Sequence, residues 1–101
     1  MSSGKPKRLF SDTELQRIAV YFRMLGEPMR LKILQTVCGG PRAVGDIVAA
    51  VGATQANVSK HLALLANADI LVRKKEGQSV YYGMKDPLTL RVCELVHDRW
   101  G

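Results

Sequence analysis

The sequence predicts a mainly α-helical domain with a β-hairpin wing, a winged helix-turn-helix, in the order helix, helix, helix-turn-helix, hairpin, helix. Three observations predict it. Residues 43–71, AVGDIVAAVGATQANVSKHLALLANADIL, hold two apolar stripes of helical period separated by a turn at Gly52 and a cap at Thr54. Residues 70–84, ILVRKKEGQSVYYGM, are two β-prone runs around Glu76-Gly77-Gln78. Before and after this unit, the first and last helices each carry an apolar stripe that one small core cannot cover.

Residues 1–11 are polar and basic, with Lys5, Lys7 and Arg8, and read as a flexible N-terminal arm ahead of a single domain over 12–101. Ser11 or Asp12 can cap the first helix, and Glu14 falls in its first turn, where a negative charge suits the macrodipole. Leu15, Ile18, Phe22 and Leu25 step by three and four, a stripe of heptad type, and Gly26 ends the helix. Pro28 suits the first position of the second helix, where a missing N–H costs nothing. Leu31, Leu34 and Cys38 form one stripe of that helix, with Ile33 and Val37 beside it, and Gly39-Gly40-Pro41 stops it.

The third helix spans 44–51, with Val44, Ile47, Val48 and Val51 facing inward. Thr54 begins the fourth, which runs to Asn67 or Ala68 with Val58, Leu62 and Leu65 buried. In the second strand of the hairpin Val80, Tyr82 and Met84 share a face. Asp86 caps the last helix and Pro87 opens it. Its main stripe is Leu88, Val92 and Leu95, with Cys93, Val96 and Trp100 on a neighbouring one. Leu15, Ile18 and Phe22 with Leu88, Val92 and Leu95 are therefore expected to form a two-fold homodimer interface between the first and last helices.

A length of 101 residues favours one domain, and 47% hydrophobic residues allow a modest core. Lys and Arg number 15 against 9 Asp and Glu, a net charge of +6 that suits a polyanionic partner. No segment has the ~18 consecutive apolar residues of a membrane span. The start, MSSGKPKRLF, lacks the apolar core of a signal peptide. A cytoplasmic protein with no membrane partner is expected. The two cysteines form neither a disulfide framework nor a zinc-finger spacing. There is no phosphate loop, no nucleophile with a base and a third member, and no paired carboxylates at a cleft. No enzyme, cofactor or metal is expected.

A helix that enters the major groove presents hydrogen-bonding side chains from its first turns to base edges. Thr54, Gln55, Ala56 and Asn57 supply such a start, followed by Ser59, Lys60 and His61. Gln55 and Asn57 can bond adenine bidentately, and Ala56 can pack on a thymine methyl. Ser59 and Lys60 suit phosphates. His61 has two readings, a contact to the DNA backbone or a place at the edge of the core beside Leu62. Arg73, Lys74, Lys75 and Gln78 form a wing that can grip phosphate or reach a minor groove. The plain structural reading of a charge run is a solvated strand edge that blocks aggregation. Its position beside a recognition helix favours contact with double-stranded DNA. A winged-helix module that binds an acidic protein, with no specific DNA, is the alternative.

The residues that carry these features also carry a family resemblance. Leu25, the Glu27-Pro28 pair, Arg30-Leu31 and Ile33-Leu34 form one pattern. Val58-Ser59-Lys60-His61-Leu62 forms a second, and Arg73 to Gly77 ending in Val80-Tyr81-Tyr82 a third. Together, across about residues 15–100, the chain resembles the ArsR/SmtB family of winged-helix repressors. The resemblance implies a homodimer through the first and last helices, an operator that is partly palindromic and overlaps a promoter, and release of that DNA when an inducer binds.

The resemblance does not identify the inducer. Family members that sense metals through thiolates carry them in the third helix, which here reads VGDIVAAV and has no cysteine. Others use Asp-x-His pairs on the last helix; Asp86 is present, but Leu88 stands where the histidine is needed, and His97 and Asp98 remain. A third branch senses persulfide or oxidants with one cysteine on the second helix and one on the last. Cys38 and Cys93 fit that distribution but not its spacing, since Gln35 stands at the first thiol's place and the second falls near Gly101. Three readings stay open: buried apolar thiols, a redox or persulfide pair, and a soft-metal or haem ligand in which Cys93 pairs with His97.

Overall fold

The computed structural model describes residues 9–100, so the expectation of a flexible arm lies mostly outside the described residues. The elements are α1 (Asp12–Met24), α2 (Pro28–Val37), β1 (Arg42–Ala43), α3 (Val44–Val51), α4 (Gln55–Asn67), β2 (Leu71–Glu76), β3 (Ser79–Met84) and α5 (Leu88–Trp100). This is the expected winged helix-turn-helix with one additional strand. The three strands form an antiparallel sheet in the order β1-β3-β2.

Local chemistry sets most boundaries. At α1 the Ser11 Oγ accepts from the Glu14 N–H at 3.1 Å, and Glu14 Oε1 accepts from the Ser11 N–H at 2.8 Å, a reciprocal capping box. Pro28 opens α2. Gly52 ends α3 at φ 69°, a left-handed conformation that a side chain would strain, and this turn redirects the chain into α4. Thr54 then caps α4, its hydroxyl oxygen accepting from the Asn57 N–H at 3.2 Å. At the far end of α4 the Ile70 N–H donates to the Leu65 carbonyl and the Asp69 N–H to that of Ala66, both at 3.0 Å. Asp69 sits between them at φ 66°, completing a Schellman stop. Lys85 Nζ holds the Asp69 carboxylate at 3.0 Å.

The wing pairs Leu71 with Met84 through to Glu76 with Ser79, leaving Gly77-Gln78 as a two-residue loop. Glycine at the first loop position supplies the positive φ, 62°, that such a tight hairpin needs. β1 pairs Arg42 with Tyr82 and Ala43 with Tyr81. Sequence reading misses it because two residues carry no alternation. The close approach it requires falls at Gly83, where an added Cβ would lie 3.1 Å from Pro41 Cγ.

The core gathers Ile33, Leu34 and Val37 of α2, Ile47 and Val51 of α3, Val58, Leu62 and Leu65 of α4, and Ile70, Leu71 and Tyr82 of the wing base. Two expectations are corrected here. Leu31 and Cys38 are exposed, because α2 packs on its Ile33-Leu34-Val37 side and ends before Cys38, which is its C-cap. α5 starts one residue later than expected. The Pro87 carbonyl accepts its first helical bond from Arg91, while Asp86 Oδ1 accepts from the Leu88 N–H at 2.9 Å.

α1 buries no residue and α5 buries only Thr89. Leu15, Ile18, Phe22, Leu88 and Leu95 all stand exposed, and Trp100 is 83% exposed; Val92 is half-buried. A hydrogen bond of 2.8 Å between the Tyr21 hydroxyl and Thr89 Oγ1 ties α1 to α5.

Leu62→Ala is expected to lower the unfolding free energy by ~2–5 kcal/mol in urea titration, since a fully buried side chain leaves a cavity. Ser11→Ala should cost only ~1 kcal/mol through its cap. Equal losses in the two variants would contradict this placement of the core.

Candidate nucleic-acid interface

Burial on one side of α4 decides what its other side offers. With Val58, His61, Leu62 and Leu65 packed inward, Gln55, Ala56, Asn57, Ser59 and Lys60 are all exposed. Thr54 is exposed too, but its oxygen is engaged as the cap, which leaves the hydroxyl hydrogen to donate outward. The first turns of the helix thus present amides, a hydroxyl and an ammonium, the groups that bond base edges and phosphates.

His61 takes the second of its two readings. Its side chain is 8% exposed, and Nδ1 lies 3.1 Å from Nε of Arg30 on α2. Arginine can only donate, so Nδ1 must be the acceptor and the ring a neutral imidazole with its proton on Nε2. Burial pushes the imidazole pKa below 6.5, and the Arg30 charge pushes the same way, against a smaller opposing pull from Glu27. His61 therefore leaves the outward-facing set. Sequence reading missed Arg30 as its partner, because nothing in local period or charge links residues 31 positions apart.

In the wing, strand alternation splits the basic residues between two faces. Arg73 lies opposite Tyr82 and Lys75 opposite Val80, while Lys74 lies opposite Tyr81 on the other face. Lys74 Nζ approaches Glu76 Oε2 at 3.8 Å, a solvated pair too weak to withdraw it from a phosphate. Gln78 is exposed in the loop at the tip.

The two cysteines share a groove that spacing alone did not predict. Cys38 and Cys93 line one groove between α2 and α5, with Leu31, Gln35, Leu90 and His97. Cys38 is exposed and Cys93 half-buried, so the reading of both as buried apolar thiols does not hold. Among the described residues of the single chain, no group of three or more His, Cys, Asp and Glu could hold a metal ion. The His97 Nδ1 lies 3.4 Å from Asp98 Oδ1.

Known proteins bear on this geometry. Residues 27–72 match the family described as "Bacterial regulatory protein, arsR family". The chain is 36% identical over 78 residues to a "Probable mercury resistance operon repressor" of Streptomyces lividans, a match covering 77% of this chain and 60% of that protein's length. It is 33% identical to the antimony-specific transcriptional repressor AntR in its crystal structure, with a TM-score of 0.80 over 94% of this chain and 90% of the other. A solution structure from Mycobacterium bovis aligns with a TM-score of 0.78 at 27% identity, over 95% of this chain and 87% of that one. That protein is described as a homodimeric winged helix-turn-helix DNA-binding domain.

The buried His61 makes stability depend on pH in a stated direction. Its folded pKa lies below the unfolded value of 6.5, so as pH falls the unfolded chain takes up the proton first. Stability from this site is complete above 6.5 and is lost as pH falls through the lower folded value. Urea titrations at stepped pH should show this loss in the wild type and less of it in His61→Gln. Identical profiles would contradict it.

Proposed function

The chain belongs to the ArsR family of bacterial regulatory proteins, and from that premise we propose a dimeric repressor that reads operator DNA with α4 and grips its backbone with the wing. As a member of that family it is a DNA-binding regulator and not an enzyme. No helix among the described residues is long and apolar enough to cross a membrane. The observation that carries the reading is the exposed start of α4, where Gln55, Asn57 and Lys60 stand outward behind a glycine turn and beside a basic hairpin. Residues 12–101 act as one DNA-binding and dimerisation domain. The exposed apolar faces of α1 and α5 supply the dimer contact, as the homodimeric relative supports. Two copies of α4 then face successive major grooves of a partly palindromic site.

The inducer acts on thiols in the groove between α2 and α5. Supporting this are the shared position of Cys38 and Cys93 and the exposure of Cys38. A dithiol oxidant such as diamide takes two electrons and two protons from the pair as they join in a disulfide. A sulfane-sulfur donor would bridge them through added sulfur, with one further equivalent of sulfane sulfur taking the two electrons and two protons and leaving as hydrogen sulfide. Either bond ties α2 to α5, the helix that holds the dimer.

Gln55→Ala with Asn57→Ala should reduce operator affinity roughly 30-fold or more with the fold intact, since each bidentate contact contributes ~1–3 kcal/mol of discrimination. Unchanged affinity and sequence preference in polarisation titrations would sink the proposal in favour of a protein-binding module. Raising salt from about 50 to 200 mM should weaken wild-type binding by roughly 10³ if about six phosphates are contacted. Diamide or polysulfide should release operator from the wild type and not from Cys38→Ser; equal release from both would reject the thiol switch.

A further inference from the structure

We infer that Arg30 is a positioning residue for the recognition helix, clamping α4 to α1 and α2 through His61. The inference rests on α4 being the element that reads DNA. Arg30 stands on α2 with its guanidinium half-buried between three helices. Nε donates to His61 Nδ1 of α4 at 3.1 Å. Nη1 approaches the carbonyl oxygen of Met24, the last residue of α1, at 3.4 Å and the Met24 sulfur at 3.6 Å. A helix end leaves carbonyls without partners and carries partial negative charge, so a guanidinium is well matched to it. The planar fork fixes direction as well as distance, which lysine cannot reproduce.

The apolar contacts of Val58, Leu62 and Leu65 hold α4 against the core but are non-directional. They permit small rotations about the helix axis that would swing Gln55 and Asn57 relative to base edges. The Arg30–His61 bond is directional and resists them. His61 is buried while Gln55 and Asn57 are exposed, so the clamp acts from the packed side of α4. Leu31 and Gln35 of the same α2, with Cys38 at its C-cap, stand on the wall of the thiol groove. Arg30 is thus a polar link from that helix to the reading helix.

The clamp requires an unprotonated His61, because an imidazolium has no acceptor for Arg30. The charged groups facing His61 are Arg30 of α2, Glu27 at the N-cap of that helix and Lys60 of α4. Protonation would set two cations against each other and open the contact. Operator recognition should therefore weaken in acid through this site, while a glutamine at 61 keeps an amide oxygen for Arg30 at every pH.

The test compares affinity for the operator with affinity for a scrambled duplex of equal length, at about pH 7.5 and about pH 5, spanning the histidine range. Wild type, Arg30→Met and His61→Gln are titrated by fluorescence polarisation, with circular dichroism melts to confirm folding. The expected specificity ratio in Arg30→Met is about tenfold below the wild type at about pH 7.5, the worth of a hydrogen bond to a charged group, and the gap narrows in acid. The ratio itself drops several-fold in acid for the wild type and stays level in His61→Gln. A folded Arg30→Met with the wild-type ratio at the higher pH overturns the inference. So does a His61→Gln profile that tracks the wild type across pH, a comparison that stands even if Arg30→Met does not fold. A wild-type ratio near one at about pH 7.5 would instead show that the DNA-reading proposal itself is wrong.

Discussion

The inward packing of α4 is the constraint from which the rest follows. Val58, Leu62 and Leu65 are fully buried against α2, α3 and the base of the wing. Each contributes ~1.5–3 kcal/mol by leaving water. A helix fixed on that side can only present residues such as Gln55, Asn57 and Lys60 on the other. Gly52 and Thr54 set where the helix begins, and the Schellman turn at Asp69 delivers the chain straight into the first strand of the wing. α4 and the basic hairpin are therefore neighbours because one element packs the core on one side and presents polar side chains on the other.

The second constraint is what the monomer leaves uncovered. α1 and α5 contribute almost nothing to the core, yet Phe22, Leu88, Leu95 and Trp100 stand in water. Exposed apolar area of this kind is stable only when another surface closes over it. A second copy of the same two helices would fix the separation of two reading helices. The groove lined by Cys38 and Cys93 runs along α5, so under the proposed dimer a bond formed there would bear on dimer geometry.

What was legible in the sequence followed from local chemistry. The turn glycine, the helix caps, the hairpin loop and the apolar stripe of α4 each announce themselves within a few residues. What was not legible depends on packing between distant segments. β1 is two residues long and shows no alternation. Cys38 continues the helical period of α2 but falls beyond its end, so it is a cap and not a core residue. The axial offset of α2 and α5, which brings Cys38 and Cys93 onto one groove, cannot be counted from spacing. His61 sits at the border of the buried stripe, where period alone leaves its role open. Arg30 on another helix settles it.

The central claim is that α4 and the wing together form the surface that meets DNA. Amide chemical-shift mapping by NMR on titration with an operator duplex tests it most directly. The account predicts the largest perturbations at residues 55–60 and 73–78, with the buried positions of α4 shifting less. Perturbations confined to α1 and α5, with residues 55–60 unmoved, would contradict it.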